Sequence, residues 1–423
     1  MNPTDQPRDG AYGALSLLAL VYAFNFLDRT LIYILFGPIK AELGLGDVQL
    51  ALLGSTSFVL FYTLLGVPFG RLADRVPRVR MIALGLLVWS VFSGLTGLMH
   101  SFTGLFLCRL MVGVGEATLG PAALSLLADY FPAARRGNAN ALYSAGVPVG
   151  AALAMFGGGA LAQGYGWRGA FFILGFPGVL LAAVLIAAVR EPARATRADS
   201  VTQRGDWRAI VNNPVLRWHT LGYALFALAA NAVSMWIPSL FVAKYAVDLK
   251  TVGMALGGCT LVFGLAGSVF GGRLADRWRA RSSGGRLRFS AVAALCCVPL
   301  WLGMLTAPTF GLALLCLGPL LAAALVWLGP AAADLAEMVS PADRGLAVGL
   351  YFLGVNALGY GLGPPVLGWL AEAAGSAEDP ARVAEALFLC PIACLLAAAS
   401  LRFAARKRES LAEVVGGGAL AAG

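Results

Sequence analysis

Charge is scarce in this chain. Only 13% of its 423 residues are Asp, Glu, Lys or Arg, and 59% are hydrophobic; a soluble domain carries roughly 25% charged residues. That balance excludes a water-soluble globule of this size and reads as an integral membrane protein. Histidine is almost missing. His100 and His219 are the only two, and neither has a partner at a catalytic spacing, which argues against a membrane-embedded lipid enzyme. The seven cysteines all lie in apolar runs, with neither a disulfide framework nor zinc-ligand spacing. The first twelve residues are short and polar and lack the basic and apolar regions of a cleaved signal peptide.

What is abundant is apolar length and glycine. Stretches long enough to cross about 30 Å of hydrocarbon run over 13–37, 48–70, 80–99, 102–128, 137–163, 168–189, 218–243, 250–272, 287–306, 309–336, 345–372 and 384–404. Twelve transmembrane helices are therefore expected. The 53 glycines suit helices that approach one another closely. The net charge of +9 does not point to nucleic acid, because the basic residues sit in short connections between spans. Of 31 Lys and Arg, 24 fall in the tails and even-numbered connections and five in the odd-numbered ones. The positive-inside rule then puts both termini in the cytoplasm.

Two landmarks recur in the same order. Gly70-Arg71-Leu72-Ala73-Asp74-Arg75 returns unchanged as Gly272-Arg273-Leu274-Ala275-Asp276-Arg277, and Pro132-Ala133-Ala134-Arg135-Arg136-Gly137 is echoed by Pro341-Ala342-Asp343-Arg344-Gly345. A duplicated half follows. The expected organisation is an all-α membrane protein of two pseudo-symmetric six-helix bundles, 1–189 and 218–408. They are joined by a cytoplasmic linker over 190–217 and followed by an unstructured tail over 409–423. The linker holds six arginines with Pro192 and Pro214; an amphipathic helix on anionic lipid is the other reading of it.

Four ionisable residues, Asp28, Arg29, Arg109 and Glu116, stand in the middle of spans. Each would cost roughly 2.5–3.5 kcal/mol at a helix centre, so they must pair or face water. Arg109 and Glu116 are seven apart, within about 20° of one helical face and about 10.5 Å along the axis. Gly113 and Gly120 lie on the same stripe, where a neighbour can come close, and Pro121 is expected to kink the helix. Asn25, Asp28, Arg29 and Tyr33 share a broad stripe of the first span. A cross-helix set of two carboxylates and two guanidiniums is feasible, with Asp28 and Glu116 as proton carriers and Arg29 and Arg109 as partners. Static ion pairs that fix helix packing are the plainer alternative, although buried pairs are poor stabilisers. Positions displaced by about 206–209 from the four charges fall near Ser234, Met235, Gly318 and Leu325, none of them charged. A polar, charged wall from one half facing Trp236, Phe263, Trp327 and Phe352 from the other would suit an amphipathic molecule. Tyr143, Asn231 and Asn356 complete the cavity candidates, although each aromatic taken singly is as readily a packing residue.

The repeated turn, with Arg78 after it, resembles the signature loop of the major facilitator superfamily, and its second copy lies where that superfamily repeats it. Pro77 and Val79 depart from the pattern, standing where glycine and a second basic residue are usual. The resemblance covers roughly 12–405 and implies the superfamily's fold. Asn25-Phe26-Leu27-Asp28-Arg29-Thr30, Arg109 to Ala117, Trp167-Arg168 to Phe171-Phe172 and Val189-Arg190-Glu191-Pro192 are similar to the Spinster family. Its animal members export sphingosine phosphate or move lysophospholipids; the organic-anion symporters share the Asp-Arg and Gly-Glu elements. The resemblance implies a bacterial inner-membrane, proton-coupled transporter, not an enzyme. It implies a lipid-like amphipathic substrate, no cofactor beyond the proton gradient, membrane lipids as surroundings and a monomeric state. An organic-anion or drug carrier is the alternative, since Arg29 and Arg109 suit a carboxylate. By the same resemblance Asp74, Arg75, Arg78, Asp276 and Arg277 form a conformational latch; a topology signal alone is the simpler account. Bending would fall at Gly157-Gly158-Gly159 and at the run from Gly359 to Pro365.

Overall fold

Five prolines of this chain follow a helix end by four or five residues. The ring of a proline at position i removes one backbone donor and crowds the carbonyl of residue i−4. Helices here end at Ile34 before Pro38, at Glu116 before Pro121, at Ser144 before Pro148, at Leu325 before Pro330 and at Leu387 before Pro391. The kink expected at Pro121 is therefore a two-residue break centred on Ala117 and Thr118, one turn upstream.

The computed structural model describes residues 7–192, 207–340 and 343–420. The first half runs α1 (Ala11–Ile34), α2 (Phe36–Leu43), α3 (Asp47–Ala51), α4 (Ser57–Ala73), α5 (Arg78–Thr96), α6 (Phe102–Glu116), α7 (Leu119–Tyr130), α8 (Ala133–Ser144), α9 (Gly146–Gly175) and α10 (Pro177–Ala188). After α11 (Trp207–Asn212) the second half runs α12 (Pro214–Tyr245), α13 (Leu249–Cys259), α14 (Leu265–Arg279), α15 (Gly285–Thr306), α16 (Phe310–Leu325), α17 (Leu328–Met338), α18 (Arg344–Val355), α19 (Gly363–Ala373), α20 (Val383–Leu387) and α21 (Leu389–Leu420). π-Helical turns occupy Leu52–Thr56, Thr260–Gly264 and Asn356–Leu362. No strand occurs among the described residues.

Among the described residues ten helical segments are long and apolar enough to cross a membrane, and α16 is a shorter apolar helix. The protein is an integral membrane protein with about ten to twelve apolar helices. One segment, Arg135–Ala188, is 54 residues long, far beyond the roughly 20 of a single crossing. It turns at Gly166, where φ is 71° and ψ 169°, a conformation only glycine adopts cheaply. Side-chain caps start several helices. Ser101 accepts from the Gly104 amide, Asp248 from Thr251 and Thr309 from Leu312, satisfying amides that have no intrahelical partner.

Packing divides the chain into two units. One comprises Met1–Ser200, Ser234–Leu261 and Ala371–Ala381; the other comprises Val201–Val233, Val262–Leu370 and Arg382–Gly423. Within the first unit, Gly253 of α13 is so close to α9 that an added Cβ would lie 2.4 Å from the Met155 carbonyl. The Val48 amide donates to Glu372 at 2.9 Å, and Ser376 bonds to buried Asp47, which also pairs with Lys40 at 2.6 Å. These contacts are why 234–261 and 371–381 pack with the first half rather than with their own repeat.

The tail expected to be unstructured over 409–423 departs from that expectation. α21 continues to Leu420, since the helix formers Glu409, Leu411, Ala412 and Glu413 carry it past the apolar span. Of the linker, 193–206 lies outside the described residues, as do Pro341 and Ala342 of the second landmark and 421–423 of the tail. Gly157, Gly158 and Gly159 sit in the part of α9 that precedes the turn at Gly166, where Gly158 abuts Leu31 and Ile34.

Candidate functional site

The four mid-span charges meet inside the first unit, on α1 and α6. Asp28, Arg109 and Glu116 are fully buried. Arg29 Nη2 lies 3.3 Å from Glu116 Oε2, and Asn25, also buried, faces the same carboxylate. Arg109 reaches Asp28 through the main chain, donating from Nη1 to the carbonyl at 3.3 Å. The Asp28 carboxylate instead accepts from Ser93 Oγ of α5 at 2.8 Å. So the two carboxylates have different company, one a guanidinium and the other a hydroxyl. Asp28 Oδ2 and the Nε and Nη2 of Arg109 have no hydrogen-bond partner.

Glycine sets the spacing. An added Cβ on Gly113 would lie 2.8 Å from the Phe58 carbonyl, so α6 and α4 touch backbone to backbone. That approach brings Phe58 and Tyr62 of α4 beneath the Arg29 guanidinium, whose carbon is 3.9 Å and 5.2 Å from their ring centres and 4.9 Å from that of Phe26. Three aromatic faces and one carboxylate thus hold this cation, an arrangement favourable for a guanidinium out of bulk water.

The remaining cavity candidates are spread over both units. Tyr33 is buried edge-on to Phe36 at 5.8 Å. Tyr143 stacks on Tyr22 at 4.3 Å, with its hydroxyl unpartnered. Trp236 packs on Phe36 at 6.0 Å within the first unit. In the second unit Trp327 lies 5.8 Å from Tyr223 and 6.3 Å from Phe226, and the indole N–H of Trp327 and the amide nitrogen of Asn231 are buried without partners. Asn356 begins a π-helical turn and is half-buried. Phe263 and Phe352 are largely exposed.

The signature turns differ between the halves. Asp74 and Arg75 are exposed, with no ion pair among the described residues. Arg78 is 1% exposed. It binds Asp129 at 2.5 Å, Glu191 at 2.8 Å and the Ser125 carbonyl at 3.2 Å, and Glu191 also accepts from the Val79 amide at 2.9 Å. Asp129 and Ser125 belong to the first half and Glu191 to the start of the linker, so all of these partners lie in the first unit. In the second half Asp276 pairs with Arg286 at 2.8 Å, Arg277 is exposed, and Glu337 gathers Arg279, Arg286 and Arg408 at 2.8, 2.6 and 3.0 Å.

Several participants were not singled out from sequence. Ser93 carries a weak signal, a hydroxyl in an apolar span. Phe26, Phe58 and Tyr62 carry none, because an aromatic in a membrane helix is usually packing. His219 is buried at 3.2 Å from the Ala331 carbonyl and ringed by Tyr223 and Tyr351. Glu191 was read only as part of a motif.

Comparisons with known proteins agree on the architecture. The family model described as Major Facilitator Superfamily matches residues 18–336. The chain is 30% identical to an MFS-type efflux pump of Mycolicibacterium smegmatis, over 86% of this chain and 85% of that protein. It is also 30% identical to a probable L-galactonate transporter of Escherichia coli, over 62% and 61%. Protein spinster homolog 1 of Homo sapiens is 28% identical over 59% of this chain, and the matched region spans half of that relative's length. Among solved structures, a bacterial homolog of the human lysosomal transporter Spinster, in an inward-facing and unoccupied conformation, superposes with a TM-score of 0.84 at 26% identity. The match covers 96% of this chain and 99% of that one.

Proposed function

The chain belongs to the major facilitator superfamily and is a Spinster-like transporter, not an enzyme; from that premise we propose that it moves a lipid-like amphipathic substrate by proton-coupled alternating access. The observation that carries the proposal is the buried set on α1, α5 and α6. Fully buried ionisable groups with unsatisfied atoms, Asp28 Oδ2 and two nitrogens of Arg109, are costly in a membrane span and call for a functional reason. In general a carboxylate held by cations stays ionised, whereas one parted from them in apolar surroundings binds a proton. Asp28 and Glu116 are the proton carriers in this reading, and Arg29 and Arg109 are their partners and the contacts for a substrate head group.

The same reading takes twelve spans, two six-helix halves over 1–189 and 218–408, both termini in the cytoplasm and a monomer in a bacterial inner membrane. The excess of Lys and Arg in the even-numbered connections supports the orientation. Asp74, Arg75, Asp276 and Arg277 act as a latch that docks on helix termini in the outward-facing state. Arg78, already saturated by Asp129 and Glu191, anchors the turn. The lipid-like substrate follows from the division of labour: ionisable groups in one half, and Trp327, Tyr223 and Phe226 without a mid-span charge in the other.

A second reading has its own observation. Arg109 presents two buried nitrogens without a partner among the described residues, the equipment for holding a small carboxylate, and one relative is named as a probable L-galactonate transporter. A substrate panel in proteoliposomes separates the two: counterflow of lysolipids and sphingoid bases, but not of sugar acids, supports the first, and the reverse overturns it. Proton coupling is tested with Asp28→Asn and Glu116→Gln. A transport rate that still follows an imposed pH gradient in both variants would reject it.

A further inference from the structure

A groove of about 600 Å³ opens on the second unit, and none of the four buried charges lines it. Its walls come from the start of α15 and the first half of α21, with Trp278 of α14 beside them. On α15 the lining residues Arg288, Ala291, Val292 and Leu295 follow the i, i+3, i+4, i+7 spacing of one helical face; on α21 Leu395, Ala398, Ala399, Arg402 and Arg406 do the same,. Ala291 and Ala398 are 4% and 3% exposed and form a floor, while Val292, Leu295 and Leu395 stand 41–47% exposed as rims. A trough floored by alanine and edged by branched side chains is shaped for a chain of methylenes.

The charged ends coincide. α15 enters the apolar region as α21 leaves it, and the two meet where an added Cβ on Gly284 would lie 2.9 Å from the Ala405 carbonyl. Arg288 is already neutralised by Glu409. Arg402 and Arg406 are exposed and make no ion pair among the described residues. Two free cations therefore stand at the mouth of the trough beside Trp278, an aromatic of the kind that settles at the head-group level. Basic residues in a topology-setting loop need no trough beneath them; here positive charge and apolar trough share one face.

We propose that this groove binds an anionic glycerophospholipid of the surrounding leaflet, with the phosphate between Arg402 and Arg406 and an acyl chain along Ala291 and Ala398. The site is separate from the transport pathway and does not rest on the substrate reading above. The full-length protein is delipidated, exchanged into mixed phosphatidylglycerol and phosphatidylcholine micelles, and its retained lipid counted by native mass spectrometry. A basic residue near an anionic surface contributes about fivefold in affinity, so Arg402→Gln with Arg406→Gln is expected to lower phosphatidylglycerol preference about 25-fold. Ala399→Leu narrows the trough without altering charge and is expected to reduce retention of that lipid in the presence of both arginines. Equal retention of the two lipids by the unaltered protein overturns the proposal. So does undiminished phosphatidylglycerol in the double arginine variant. Displacement by inorganic phosphate with no effect of Ala399→Leu would reveal a bare anion site and overturn it too. Loss of the lipid with Arg109→Gln, but not with the double variant, would assign it to the buried charges and sink the groove while leaving the transport reading intact.

Discussion

Glu116 and Leu325 hold matching places in the two halves, as do Arg109 and Gly318. In the first half those places carry a buried acid and a buried guanidinium. In the second, Gly318 makes room for the ring of Phe263, whose edge would lie 2.6 Å from an added Cβ. A duplicated scaffold has kept its helices and divided its chemistry. The first half buries the mid-span charges Asp28, Arg109 and Glu116, while the second offers rings and donors without a partner among the described residues, such as Trp327 Nε1 and Asn231 Nδ2. The lesson is that the repeat fixes where a side chain stands, not what it does.

The largest effect expected from breaking this contrast belongs to Glu116→Gln. It removes the titrating group but leaves an amide able to meet Arg29, so folding is retained. Gradient-driven accumulation in proteoliposomes should drop roughly 5- to 150-fold, the range of ordinary coupling energies. Leu325→Gln at the matching place should leave the pH response as it is. If both variants alter the pH response equally, the halves are not specialised.

The charged turns sharpen the comparison. Among the described residues Arg78 is the sole cation on Asp129 and Glu191, whereas Arg286 shares Glu337 with Arg279 and Arg408, and shares Asp334 with Arg408. Asp129 and Glu191 are partly exposed, so leaving both without the buried Arg78 costs about 1–3 kcal/mol,; losing Arg286 from the second network, where Arg408 stays on the buried Asp334, costs about 1 kcal/mol,. Arg78→Gln should therefore lower the melting temperature in detergent more than Arg286→Gln. Equal losses would mean that the second network is no more redundant than the first.

How much of this was legible in the sequence depends on whether the signal lies along a helix or between helices. A charge in an apolar run is conspicuous, so Asp28, Arg29, Arg109 and Glu116 stood out, and the repeat pointed to Arg78. Their partners come from spans distant in sequence. Nothing local says that Ser93 meets Asp28 across 65 positions, or that Phe58 and Tyr62 lie under Arg29. Pro121 announced a kink, but the break falls one turn earlier because the crowded group is the carbonyl at i−4.

A smaller effect is expected from Arg29→Lys, which keeps the charge and loses the flat face pressed on Phe58. Cation–π contacts of this kind contribute about 0.5–2 kcal/mol, so apparent affinity for substrate should weaken a few-fold to about 30-fold. Trp327→Phe in the second half should shift preference among chain lengths and leave pH dependence alone. A pH profile displaced by Trp327→Phe would erase the division drawn between the halves.

The smallest effect lies at the loop end opposite the signature turns. In the first half Glu42 accepts from Trp167 Nε1 at 2.6 Å and from Arg168 at 2.7 and 3.1 Å, tying α2 to α9. In the second half the acid at the corresponding edge, Asp248, only caps its own helix through Thr251. The hydrogen bonds from Arg168, then Trp167, hold the Glu42 carboxyl below its ordinary value. A carboxyl whose value is lower in the folded state stabilises fully above its unfolded value and loses that contribution as pH falls through the folded one. Thermal unfolding of the unaltered protein should thus weaken more steeply below about pH 4.5 than that of Glu42→Gln, which has no proton to take up. The side chain is nearly half-exposed, so solvent screening keeps the difference within about 1 kcal/mol. Asp248→Asn, still able to cap, should change the acid limb even less; a larger change there than for Glu42→Gln would show that the local cap, not the tie between helices, governs acid stability at this end.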